Sequence, residues 1–119
     1  MHGVALMARP GWLLRDGDVL AAAEVVTGFA ELLRGPSPLA HFDGVVVLRG
    51  TPSAHTLGSP RALDLAFVDR RLVVLALARL GGWRVARPRH RARTVLAARA
   101  GAFERWNLAV GDQLELRLT

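Results

Sequence analysis

The 119-residue sequence contains no cysteine, lysine, isoleucine or tyrosine. Without cysteine there is no disulfide framework, no thiolate zinc site, no iron–sulfur cluster and no cysteine nucleophile. Without lysine the phosphate-loop pattern G-x-x-x-x-G-K-[ST] cannot be written, and Gly81-Gly82 and Gly101 do not substitute for it. Nucleotide triphosphatase chemistry is excluded on that ground. Aromatic residues are 6% of the chain, and Trp12, Trp83 and Trp106 are scattered rather than spaced as a stacking platform. The longest apolar run, Leu72 to Ala78, falls well short of the roughly 20 residues that span a bilayer. Near the start of the chain, Arg9, Pro10 and Arg15-Asp16 interrupt any apolar leader. The expectation is a soluble, cytoplasmic protein with no membrane span.

What is present is enough to fold. The chain is 51% hydrophobic and 22% charged, the balance of a globular domain rather than a disordered one. Its formal net charge of +6 is unevenly distributed. Residues 1–48 are net acidic, residues 94–119 balance, and the ten arginines between 49 and 93 face only Asp64 and Asp69. Such asymmetry points to an anionic partner. The competing explanation is a coding bias that writes every basic residue as arginine.

Met1 to Gly17 shows no sustained period and contains Pro10-Gly11, so an irregular lead-in of about residues 1–18 is expected, followed by one domain over 19–119. Val19 to Leu33 divides at Thr27-Gly28 into a strand ending at Val26 and a short helix from Gly28 to Arg34. Val45 to Arg49 is a β-branched run suited to a strand. Gly50 to Arg61 is punctuated by glycine and proline and reads as a structured loop. Leu63, Leu65 and Phe67 alternate with Asp64 and Ala66, the period of a half-buried strand. Asp69-Arg70-Arg71 then joins it as a hairpin to Leu72–Ala78, which is apolar on both faces and reads as a fully buried strand. Thr94 to Leu96 suits a strand. Ala102 to Trp106 suits one or two helical turns ended by Asn107 in a left-handed conformation. In Gln113–Leu118, the three leucines oppose Gln113, Glu115 and Arg117. The expected fold class is therefore mainly β (α+β): a single small barrel-like domain of about six short strands with two short helices.

Three segments in fixed order carry a resemblance. The first is T-G-F-A-E-L-L-R-G at 27–35, followed by G-V-V-V-L at 44–48. The second is S-A-H-T-L-G-S-P-R-A-L-D-L-A-F-V-D at 53–69. The third joins A-R-T-V-L at 92–96 to L-A-V-G-D-Q-L at 108–114. Together they resemble the DUF 192 family, a prokaryotic domain of uncharacterised function, over about residues 19–118. The family pattern S-V-H-T-F-G-M-x-x-P-I-D-V-x-F-L-D is matched most specifically by the second segment. The resemblance implies a compact, mostly β fold and supplies no agreed reaction. In three places the chain departs from it: Ser59 stands for the family's Met, Ala97 for its Glu, and Asn107 for the first Gly of its G-L-x-x-G-D turn.

Candidate chemistry centres on the same middle segment. His55, Asp64 and Asp69 are the one close set of histidine and acids, and a carboxylate oriented against His55 would fix its tautomer for acid–base work. Equally, His55 and Thr56 would hydrogen-bond loop backbone, Asp64 would cap or turn that loop, and Asp69 would open the hairpin. No spacing matches a metal motif, and no cofactor is implied. No G-x-S-x-G elbow surrounds Ser53 or Thr56, which excludes a hydrolase triad of that kind. The reading adopted is a non-catalytic binding module. Its shallow pocket, lined by His55, Thr56, Arg61, Asp64, Trp83 and Arg84, is expected to hold a small polar or anionic ligand or a partner peptide. One alternative is an enzyme using a His55/Asp64 acid–base pair. Another is nucleic-acid binding through Arg87, Arg89, Arg91 and Arg93, which share one side of an extended segment and otherwise act as a solvated edge.

Overall fold

Asp16 and Gly17 both adopt positive φ (53° and 83°), the requirement of a two-residue hairpin turn whose twist matches its strands. This turn joins β1 (Ala8–Arg15) to β2 (Asp18–Val26) in antiparallel register. In the computed structural model of the protein, which describes residues 8–26, 44–50, 62–81 and 91–119, five further strands follow. They are β3 (Val45–Arg49), β4 (Leu63–Val68), β5 (Val74–Leu80), β6 (Thr94–Arg99) and β7 (Glu115–Leu118). One helix, α1 (Ala102–Arg105), lies between β6 and β7. Among the described residues the protein is thus mostly β, with seven strands and one short helix.

The strands form one sheet in the order β5-β4-β6-β3-β2-β1-β7. Only β2 and β3 run parallel; the other neighbours are antiparallel. The two outer strands approach each other at one end, through a single bridge between Val73 and Gln113. Backbone bonds flank it: the Leu114 N–H donates to Leu72 and the Val74 N–H to Asp112. This seam is one bridge rather than a continuous ladder, so the sheet is not closed into a barrel.

Alternation along the central strands divides the core between the sheet's two faces. Val45, Val47, Ala66, Val68, Leu96 and Ala98 join Phe103 and Leu108 on one face. Val46, Leu48, Leu65, Phe67, Val95 and Ala97 cluster on the other. All six residues of β4 are consequently buried, where period-2 patterning predicts a strand with one solvated face. The apolar character of β5 predicts full burial, yet β5 is an outer strand and most of it is only half-buried. Its two faces pack on the two clusters, with Leu77 against the first and Ala76, Ala78 and Leu80 against the second.

The lead-in expected over 1–18 is corrected by β1. Pro10-Gly11 reads as punctuation, but Gly11 lies in the ladder opposite both Ala23 and Leu118. Pro10 lies just beyond the last β1–β7 pair, where its carbonyl accepts the Thr119 N–H. The helix expected over Gly28–Arg34 and, apart from Gly50, the loop expected over Gly50–Arg61 lie outside the described residues.

Candidate functional site

Asp64 begins as a strand residue and ends as part of a helix terminus. In β4 it stands opposite Arg79 of β5 and Ala98 of β6, and its side chain shares the face that carries α1. The residue is only 3% exposed, which demands that its charge be compensated. Its Oδ1 accepts from Arg79 Nε at 2.8 Å. Its Oδ2 accepts the Gly101 N–H at 2.8 Å and the Phe103 N–H at 3.3 Å. The Gly101 amide leads into α1 and the Phe103 amide lies in its first turn, which has no cap from its own leading residue because that residue is Gly101, at φ 97°. A carboxylate from a neighbouring strand therefore supplies the missing cap.

The opposite end of α1 is held by opposite charge. Arg15 Nη2 donates to the Trp106 carbonyl at 2.6 Å, and Nη1 donates to the Asn107 carbonyl at 3.0 Å and to Asp112 at 2.8 Å. Carboxylate at the amino end and guanidinium at the carboxyl end both complement the helix dipole. Asn107, at φ 51°, ends the helix in the left-handed region, as its side chain predicts. Gly111 at φ 95° then turns the chain, and Asp112 closes that turn by accepting the Ala109 N–H at 3.0 Å. That backbone bond, reinforced by Arg15, holds the Asp112 carboxyl below its ordinary range against a smaller opposing effect of burial. A depressed carboxyl stabilises the fold above its unfolded value, near pH 4, and loses that contribution as pH falls through the folded value. Acid unfolding of Asp112→Asn, followed by circular dichroism, is accordingly expected to be less steep below pH 4 than that of the parent.

Beside this clamp lies a recess of about 590 Å³ between β5 and α1. Leu77, Phe103 and Leu108 give it an apolar floor, while Arg79, Glu104 and Asn107 carry its polar groups. Arg79 bridges Asp64 and, through Nη2 at 2.9 Å, Glu104. Those bonds, Asp64's first, raise the guanidinium above its ordinary value and keep it charged. The Phe103 and Trp106 rings, 5.4 Å apart and tilted by 45°, stiffen the helix side.

Of the expected pocket, the structure places Asp64 on this recess. His55, Thr56, Arg61, Trp83 and Arg84 lie outside the described residues, as do Arg87, Arg89 and Ser59. Arg79, Glu104 and Asn107 were not legible as site residues. The signal for Arg79 is its place opposite Asp64, which appears only once the Asp69-Arg70-Arg71 turn fixes the register. Ala97, at the position of the family's Glu, is 2% exposed among Val46, Leu65 and Phe67, where it is simply core. Among the described residues no group of three or more histidines and acids is placed to hold a metal ion, and no helix is long and apolar enough to cross a membrane.

No family model and no curated protein sequence matches the chain. Two solved structures share its fold. One is a protein of unknown function from Novosphingobium aromaticivorans, with a TM-score of 0.69 and 16% identity, over 91% of this chain and 84% of that one. The other is a candidate transcription regulator from Sinorhizobium meliloti, with a TM-score of 0.73 and 15% identity, over 98% and 97% of the two chains. At these identities the likeness concerns architecture.

Proposed function

We propose that the chain is a non-catalytic binding module of the DUF 192 type, working in the cytoplasm. Its recess between β5 and α1 takes a small polar ligand or the end of a partner peptide. The observation that carries this reading is the apolar floor of Leu77, Phe103 and Leu108 beneath the Arg79–Glu104 pair. That combination suits a ligand with an apolar body and one polar end. Arg79 spends one N–H on Asp64 and one on Glu104, leaving donors of its five for a ligand acceptor, while Glu104 offers an acceptor to a ligand donor.

The placement of the family-like turn supports the resemblance. Asn107 and Gly111 both occupy positive φ, where Asn is among the few replacements for Gly, and Asp112 closes the turn between them and β7. Against the acid–base alternative stands the engagement of Asp64, whose two oxygens already accept three hydrogen bonds. Such a carboxylate is better suited to positioning than to exchanging protons.

Amide shift perturbation by NMR, with free amino acids and short peptides as probes, tests the reading. Saturable shifts are expected at Leu77, Arg79, Phe103 and Glu104. They should vanish in Leu77→Trp, which fills the recess from a partly exposed position. Saturable shifts confined to other parts of the sheet would refute the assignment.

A further inference from the structure

A second concave surface lies at the end of the sheet where β3 and β4 finish and β6 begins. Arg49 pairs with Thr94, and Thr94 pairs in turn with Val68, so three strand ends meet there. The Arg93 N–H donates to the Val68 carbonyl at 2.9 Å, and the Gly50 N–H donates to the Arg93 carbonyl at 2.9 Å, fixing the Arg93 backbone from both sides. Ala92 is 2% exposed while Arg91, in a turn, and Arg93, at the bend that leads into β6, are exposed, so the two arginines face outward on either side of a buried residue. With Asp69 and Arg70 of the hairpin they line a recess of about 360 Å³.

Among the described residues the positive charge of this surface is only partly offset, three arginines facing the single carboxylate of Asp69. Elsewhere Arg15, Arg79 and Arg117 each meet a carboxylate within 2.8–2.9 Å. Among the described residues no ion pair engages Arg49, Arg70, Arg71, Arg91 or Arg93, nor Arg9 and Arg105 elsewhere. The acid in their midst, Asp69, offsets one of these charges while its Oδ1 holds the turn, accepting the N–H groups of Arg71 at 2.8 Å and Val73 at 3.0 Å. Like charges held together in excess of their counter-charge repel, and a bound anion relieves that repulsion.

We infer that this recess, lined by Arg70, Arg91 and Arg93, binds a small, multiply charged phosphate-class anion. The guanidinium fork matches phosphate oxygens in pairs, which favours this class over a single carboxylate. The concave shape favours a small anion over a stacked nucleic-acid strand, and among the described residues no aromatic side chain lines the recess. The site is separate from the recess over Asp64 and does not depend on it.

Inorganic pyrophosphate is the probe, titrated into the intact protein by calorimetry at low and at physiological ionic strength. One-to-one binding that weakens with salt is expected, because exposed charges are screened. Arg70→Gln and Arg93→Gln should each weaken it about tenfold, the loss of a charge-assisted hydrogen bond. Arg105→Gln, on the helix away from this end, should leave it unchanged. Circular dichroism of each variant separates lost binding from lost fold. Absence of pyrophosphate binding to the parent, or equal binding by the Arg70 and Arg93 variants, overturns the proposal. A short single-stranded oligonucleotide that binds through the same arginines while pyrophosphate does not compete overturns it in favour of nucleic acid.

Discussion

Asp64→Ala is expected to lower the free energy of unfolding by about 3 kcal/mol, as a stranded buried donor costs roughly 1–3 kcal/mol and a broken buried ion pair somewhat more. The change leaves the Gly101 and Phe103 amides without an acceptor at a helix start that has no other cap. It also removes one of the two carboxylates on Arg79, but Glu104 remains and the Arg79 side chain is 49% exposed and can be rehydrated. The reciprocal change, Arg79→Ala, should therefore cost well under the Asp64 value, because water screens the exposed partner. Urea denaturation of both variants measures the contrast. Equal losses would mean that the ion pair, rather than the helix cap, makes Asp64 important.

The second large effect is expected at Gly11. A Cβ placed there would lie 2.6 Å from the Arg117 carbonyl oxygen and 3.2 Å from the Leu118 Cα, both backbone atoms. Neither can swing aside as a side-chain end can, so β1 and β7 must separate locally. Gly11→Ala should destabilise the protein by about 2 kcal/mol, within the range for overpacking a closely packed site. Because Gly11 pairs with Leu118 at the end of the β1–β7 ladder, the loss should concentrate in β7. Hydrogen exchange that accelerates at residues 115–118 while β3, β4 and β6 stay protected is the expected pattern. A variant as stable as the parent would contradict the close approach.

Much of the sheet was legible because its strands carry their signal locally. Val45–Arg49 opens with three β-branched valines, and it is β3 to the residue. The strand ending at Val26, the Asp69-Arg70-Arg71 hairpin and the helix after Gly101 likewise follow from composition and turn chemistry. β1 was not legible, because Pro10 and Gly11 signal a break in isolation. Gly11 is instead demanded by a strand more than a hundred residues away, and nothing near it in sequence records that contact. The depth of β4 escaped for a related reason. Alternation places Asp64, Ala66 and Val68 together on one face, but only tertiary packing shows that this face is also covered.

The site was legible in part. Asp64 stands out as an acid set into an apolar strand, and the sequence supports both a chemical and a capping role for it. The capping role requires knowing that Gly101 and Phe103 lie within reach, a separation of 37 and 39 residues that spacing does not encode. Arg91 and Arg93 were legible as an alternating pair, and the buried Ala92 between them keeps that alternation. Arg70 joins them only because the hairpin ends beside the start of β6.

The central claim is that the Asp64 carboxylate belongs to the architecture that shapes the recess and is not held ready for chemistry. Residue-resolved hydrogen exchange of the parent and of Asp64→Ala tests it most directly. The expected result is slow exchange at Gly101 and Phe103 in the parent and a selective loss of that protection in the variant, with β3 and β6 still slow. Unchanged protection at both amides would contradict the claim and return Asp64 to the list of groups available for catalysis.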